Sequence, residues 1–118
     1  MGLRDVRDRA IGCLREGRVQ AEVRSGPEEK NLLKTGEVSP GEVIDLLKAT
    51  KGSQYSKSRH HFIEDIEVHI FKPIRGNFTW YLKLYFLDLE TWFISVHKKA
   101  LRKKGTSKKI VRRKNGNF

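Results

Sequence analysis

Between residues 52 and 98 the chain alternates apolar and polar positions with a period of two. In Trp80-Tyr81-Leu82-Lys83-Leu84-Tyr85-Phe86 the even positions are apolar or aromatic, and the odd ones carry hydroxyl or ammonium groups. A strand sends successive side chains to opposite faces. The pattern therefore predicts a half-buried strand with Trp80, Leu82, Leu84 and Phe86 inward and Tyr81, Lys83 and Tyr85 outward. The same reading puts Ile66, Val68 and Ile70 inward and Glu67, His69 and Phe71 outward. Further on, Trp92, Ile94 and Val96 face inward, and Phe93, Ser95 and His97 outward. Arg75-Gly76-Asn77 and Asp88-Leu89-Glu90 supply the turns, so three consecutive strands form an antiparallel meander.

Ahead of the strands the period becomes helical. Val6, Ala10, Cys13 and Leu14 are spaced three or four apart over residues 3–16, and Gly17 ends that helix. Residues 18–24 alternate weakly, with Val19, Ala21 and Val23 on one side, as a short strand does. Pro27 suits the first turn of a short helix over residues 28–34, closed by Gly36. Ser39-Pro40-Gly41-Glu42 has the spacing of a capping box, and Val43, Leu46 and Leu47 form the buried stripe of the helix it opens. Helices first and strands after predict an α+β fold, with N-terminal helices packed on one face of a small antiparallel sheet.

The chain has 118 residues, enough for one domain with a modest core. Its mean hydropathy is −0.60, and no apolar run reaches the roughly 20 residues that span a bilayer. The start, Met1-Gly2-Leu3-Arg4-Asp5, has neither a secretory nor a myristoylation pattern. The expected location is the cytoplasm, with no membrane partner. Cys13 is the sole cysteine, which excludes an internal disulfide and fits a buried helix position.

Charge divides the chain in two. Residues 1–97 hold 15 Lys and Arg against 14 Asp and Glu, whereas residues 98–118 hold 10 Lys and Arg and no acid. The expected organisation is a domain over residues 1–99 and a basic, mobile tail over residues 100–118, with a helical extension over residues 98–104. A basic tail on a neutral body attracts polyanions through counterion release and does not read sequence.

The outward face would then combine imidazoles, phenols, ammonium groups and rings. That set suits RNA: cations for phosphate, rings for bases, and groups that move a proton. Lys57-Ser58-Arg59-His60-His61 adds two cations and two imidazoles near the sheet, and adjacent residues on a strand allow only one of the histidines onto the open face. Zinc needs three or four converging ligands, and the four histidines form no spaced Cys/His set. No cofactor is expected. A phosphate-binding glycine loop and a G-x-S-x-G elbow are likewise missing from the sequence.

The order of helix, Gly17-Arg18-Val19, Leu32-Leu33, Val43-Ile44 with Leu46-Leu47, Tyr55-Ser56-Lys57-Ser58, Ile70-Phe71-Lys72-Pro73, Tyr81-Leu82-Lys83 and Ile94-Ser95-Val96-His97-Lys98 resembles the MqsR family. That family belongs to the wider RelE-like group of bacterial toxins that cut mRNA. The likeness covers roughly residues 6–99. It implies an endoribonuclease of a type II toxin–antitoxin system, with mRNA as substrate, a cognate antitoxin protein as partner, and the ribosome as a further partner where cleavage is coupled to translation. The family's Lys-Ser element falls on Lys57-Ser58, its sheet tyrosine on Tyr81 and its late lysine on His97. Its Trp-Gln-Asp has no match, and Glu67-Val68-His69 stands there. A looser likeness to HicA toxins rests on Ser58-Arg59-His60.

The expected chemistry is metal-independent attack by the RNA 2′-hydroxyl. His97 or His69 moves protons, Lys57 stabilises phosphorane charge together with Lys83 and Arg59, and Tyr81 orients the phosphate or donates a proton. Phe71, Tyr85 and Phe93 stack bases, while His60, Glu67 and Lys98 complete the RNA contacts. The rival expectation is a module that binds RNA without cutting it.

Overall fold

The computed structural model describes residues 2–22 and 31–101. Helix α1 (Leu3–Glu16) leads into strand β1 (Val19–Ala21). Helices α2 (Leu32–Thr35) and α3 (Pro40–Ala49) follow. A single turn of 3-10 helix over Gly52–Gln54 opens the strand region. It comprises β2 (Tyr55–Arg59), β3 (Glu67–Phe71), β4 (Ile74–Arg75), β5 (Phe78–Leu87) and β6 (Glu90–Ala100). The fold is α+β, and among the described residues no helix is long and apolar enough to cross a membrane.

The helix ends follow the local chemistry. Gly17 caps α1 at φ 73°, a left-handed conformation that costs a Cβ-bearing residue energy, and the Arg18 N–H then closes on the Cys13 carbonyl at 2.9 Å. At α3 the Glu42 N–H donates to the Ser39 hydroxyl at 3.2 Å, and the Ser39 N–H donates to the Glu42 carboxylate at 3.1 Å. Both bonds of the capping box are made. Of the short helix expected over residues 28–34, the described part starts at Asn31, and α2 ends at Gly36 with φ 85°. The tail expected over residues 100–118 lies outside the described residues from residue 102 on. Residues 98–100 continue β6, where a helical extension was expected.

The sheet order is β1-β6-β5-β3-β2, with β4 also against β5. Pairs β2–β3, β3–β5, β4–β5 and β5–β6 are antiparallel, but β1 runs parallel to β6. The sheet is therefore mixed, where the sequence suggested an antiparallel one. Between β1 and β6 the chain runs through α2, α3 and strands β2 to β5, a connection long enough to permit a parallel pair.

One face of the sheet carries the core. Val6, Ala10 and Leu14 of α1 and Val43, Leu46 and Leu47 of α3 pack with Phe71, Leu82, Leu84, Phe93 and Val96. At roughly 25 cal/mol per Å² of apolar area removed from water, this layer is the main source of stability. Cys13 is buried beside it, as expected for a free thiol on a helix.

The register corrects two strand faces. Phe71 sits opposite Leu82, and His69 opposite Leu84, so both side chains lie on the helix-covered face. Phe71 is 0% exposed and His69 4%. The largest apolar side chain of β3, Phe71, sets its phase, and Ile70 goes to the other face. In β6 the pairing shifts between Lys83↔Ser95 and Leu84↔Phe93, leaving Ile94 as an extra residue. This bulge flips the alternation, so Phe93 enters the core and is 0% exposed.

Candidate functional site

On β5 the even positions do face the helices, and Tyr81 and Lys83 face away. Opposite them on β6 stand His97 and Ser95. These four residues form a compact block on the open face. The Tyr81 and His97 rings are stacked, with centroids 5.0 Å apart and planes 15° from parallel. The Ser95 hydroxyl and His97 Nδ1 share a hydrogen bond of 2.7 Å. That bond pins the imidazole through Nδ1. Lys83 is exposed beside Ser95, and the Lys72 ammonium lies 5.8 Å from the centre of the Tyr81 ring.

Lys72 owes its place to the gap between β3 and β4. Pro73 lacks an N–H and interrupts the strand, while the Lys72 N–H donates to the Gln54 carbonyl at 2.8 Å. Sequence reasoning passed over Lys72 and gave Ser95 no role. The spacing of Ser95 and His97, two apart on one strand, was the available signal. For Lys72 the signal needed the register with Tyr81.

Part of the open face is roofed. The segment after β2 folds back so that the His60 ring meets Tyr85 edge-on at 4.9 Å. Tyr85 also stacks on Trp92 and donates its hydroxyl to the Glu22 carboxylate at 2.7 Å. His60 Nδ1 accepts the Phe62 and Ile63 N–H groups at 3.0 and 3.1 Å. Nε2 therefore carries the ring proton and donates to Glu22 at 2.8 Å. These bonds tie β1, β5 and the roof together. A small cavity of about 60 Å³ remains between the roof and Val68, Ile70, Lys83 and Ile94.

The expected site thus divides. Tyr81, Lys83 and His97 come together on the open face. Tyr85, at 2% exposure, and Phe71 and Phe93 are buried and offer no ring to a base, which corrects the expectation that they stack on RNA. His60 is a buried strut and not an exposed RNA contact, and His61 is exposed. His69 is separated from His97 by the thickness of the sheet, so the two share no site.

Lys57 lies opposite His69, and Arg59 opposite Glu67, also away from the open block. The Lys57 ammonium pairs with the Glu67 carboxylate at 3.6 Å. Lys98 is opposite Trp80 and covers Phe78 and Trp80 on the helix side, at 4.5 and 5.3 Å from their ring centres.

On that side the Tyr55 hydroxyl and His69 Nδ1 lie 2.8 Å apart. Burial, reinforced by Glu67, raises the Tyr55 pKa, so the phenol keeps its proton. The His69 pKa is pushed below the usual imidazole value, chiefly by burial. Glu67 acts in the opposite sense, and Lys57 and Arg9 add to the lowering. Among the described residues no group of three or more His, Cys, Asp or Glu is placed to hold a metal ion.

Comparison with protein-family models, with curated proteins and with solved structures finds no match. The geometry of the chain itself is what any functional reading has to stand on.

Proposed function

We propose that this protein is a metal-independent endoribonuclease acting on single-stranded mRNA, an mRNA interferase of the kind that the MqsR resemblance implies. The observation that carries the reading is the Tyr81–His97 stack with Ser95 on Nδ1 and lysines on two sides. Tyr81 and His97 are also two of the positions on which the resemblance falls.

In the reaction, His97 Nε2 takes the proton from the RNA 2′-hydroxyl as O2′ bonds to phosphorus. The P–O5′ bond breaks, and the leaving 5′-oxygen takes a proton from the Tyr81 phenol. Lys83 and Lys72 offset the charge that builds on the phosphorane oxygens. Ser95 holds the imidazole in the orientation this transfer needs. The products end in a 2′,3′-cyclic phosphate and a 5′-hydroxyl. Lys57, expected to stabilise phosphorane charge, is on the other side of the sheet, and Lys83 and Lys72 take that role in this reading.

The partners that follow are mRNA and a cognate antitoxin protein that restrains cleavage, with ribosomes as a further partner if cleavage is coupled to translation. The cytoplasm is the compartment where such a substrate is met. The test is incubation of a long single-stranded RNA in EDTA with wild type and with a Tyr81→Phe/His97→Ala double variant. Discrete fragments from wild type alone support the reading. Equal fragmentation by both proteins, or fragments only when a divalent metal is supplied, overturns it.

A further inference from the structure

RNA on the open face needs a ring to stack on, and Phe71, Tyr85 and Phe93 are buried. Phe62 is 82% exposed, and among the described residues it is the one exposed Phe, Tyr or Trp. It sits on the roof, and the roof is fastened at several points. The His60 N–H donates to the Ile66 carbonyl at 3.0 Å and closes the loop at its base. Within the loop His60 Nδ1 accepts the Phe62 and Ile63 N–H groups. Glu22, next to β1, and Tyr85 on β5 hold the same imidazole. A ring on a loop fixed in this way loses little further freedom when it binds.

A cavity of about 360 Å³ opens on the roof, lined by Arg59, His61, Phe62, Glu64 and Asp65 among others. It adjoins the small cavity that reaches Lys83, because Arg59, His60 and His61 line both. Lys83 and Tyr81 are two positions apart on β5 and share its open face. At the rise of a strand that is roughly 7 Å, so RNA held at the open block can reach the roof.

The lining selects which part of a nucleotide fits. Two carboxylates against one guanidinium do not favour a phosphate inside the cavity. Aromatic rings take the face of an unpaired base. A carboxylate accepts from the amino groups that cytosine, adenine and guanine carry and uracil lacks. The His61 and Phe62 rings are edge to face, with centroids 6.4 Å apart, so one can cover a base while the other meets its edge.

We propose that Phe62, with His61 and Glu64 beside it, forms a base-binding subsite for single-stranded RNA next to the open block. It rests on the ribonuclease reading for its ligand, and adds which part of the RNA is held and by what. The Phe62 ring stacks on an unpaired base, and Glu64 accepts from the amino group of that base. Arg59, which lines both cavities, meets the neighbouring phosphate. Bases with an amino group are therefore preferred over uracil near the cleaved bond.

The test measures the affinity of the full chain for short oligodeoxycytidine and oligodeoxythymidine. Both offer bases but no 2′-hydroxyl to attack, and thymine has the same pairing edge as uracil. Wild type should favour oligodeoxycytidine. Phe62→Leu keeps an apolar side chain and removes the ring, and should bind that probe about tenfold more weakly, the usual loss for one stacked base. Glu64→Ala should abolish the preference. Both side chains are exposed, so the fold is retained.

Phe62→Leu binding as tightly as wild type overturns the subsite, and so does a wild type that binds neither probe. Equal affinity for the two probes, or a preference unchanged in Glu64→Ala, overturns the role of Glu64. Cleavage of long RNA in EDTA is scored separately on the same preparations. Ring-dependent binding without cleavage overturns the ribonuclease reading and leaves the subsite in place; cleavage with ring-independent binding does the reverse.

Discussion

Each face of the sheet contains a tyrosine, a histidine and lysine, in opposite settings. On the open face Tyr81 and His97 are half-buried, and the imidazole is held by Ser95 at its rim. On the covered face Tyr55 and His69 are wedged against Phe71 and Phe86, and burial lowers the His69 pKa. Residue types alone do not separate them. A proton carrier has to be reachable by substrate and pinned in orientation, and the open pair meets both conditions. The covered pair is buried among aromatic rings, which suits packing better than turning a substrate over.

The sharpest structural break of this comparison is Phe71→Ala. If Phe71 lies in the core, as the Phe71↔Leu82 register has it, the substitution should cost about 3–5 kcal/mol in urea unfolding. A cost below about 0.5 kcal/mol would return Phe71 to the surface and undo the division of faces. Next is Tyr85→Phe, which removes the hydroxyl donated to Glu22 beneath the roof. A loss of about 1–3 kcal/mol is expected, because the acceptor is a carboxylate held away from bulk water. No change would mean that the roof is not held down by this bond.

Acid should act through the covered face. A histidine whose folded pKa is lowered binds fewer protons than its unfolded counterpart, so stability rises with pH in that window. The contribution of His69 is complete above the unfolded imidazole value of about 6.5 and is lost as pH falls through the lower folded value. Urea midpoints measured across that range should decline less in His69→Gln than in wild type.

The smallest effect concerns the C-terminal cations. Truncation after Leu101 removes 8 of the 10 Lys and Arg in residues 98–118. It should flatten the salt dependence of RNA binding without altering where RNA is cut. An unchanged slope would show that those charges do not touch the ligand.

Much of this was legible in the chain. Residues 3–16 and the Ser39–Glu42 box announced α1 and α3 through spacing and capping chemistry, which act over three or four residues. The β5 alternation gave Tyr81 and Lys83 the right face for the same reason. Strand β3 was ambiguous because Ile66, Val68 and Ile70 on one side compete with Phe71 on the other, and only packing against Leu82 decides between them.

The Ile94 bulge left no local trace, since Phe93 and Ile94 are both good strand residues. Burial of Tyr85 depends on Glu22 and His60, which are 63 and 25 positions away in sequence. Long-range contacts of that kind do not appear in periodicity. The candidate site therefore came through in part: Tyr81, Lys83 and His97 by alternation, but neither Lys72 nor the displacement of His69 and Lys57 to the other side.

The most direct measurement of the central claim is RNA cleavage and RNA affinity determined side by side for His97→Ala and wild type. The account predicts a fall in cleavage of about 10²–10⁴-fold, the usual range for losing a positioned proton carrier, with affinity close to that of wild type. Cleavage that persists near the wild-type rate would contradict the assignment of chemistry to the open face.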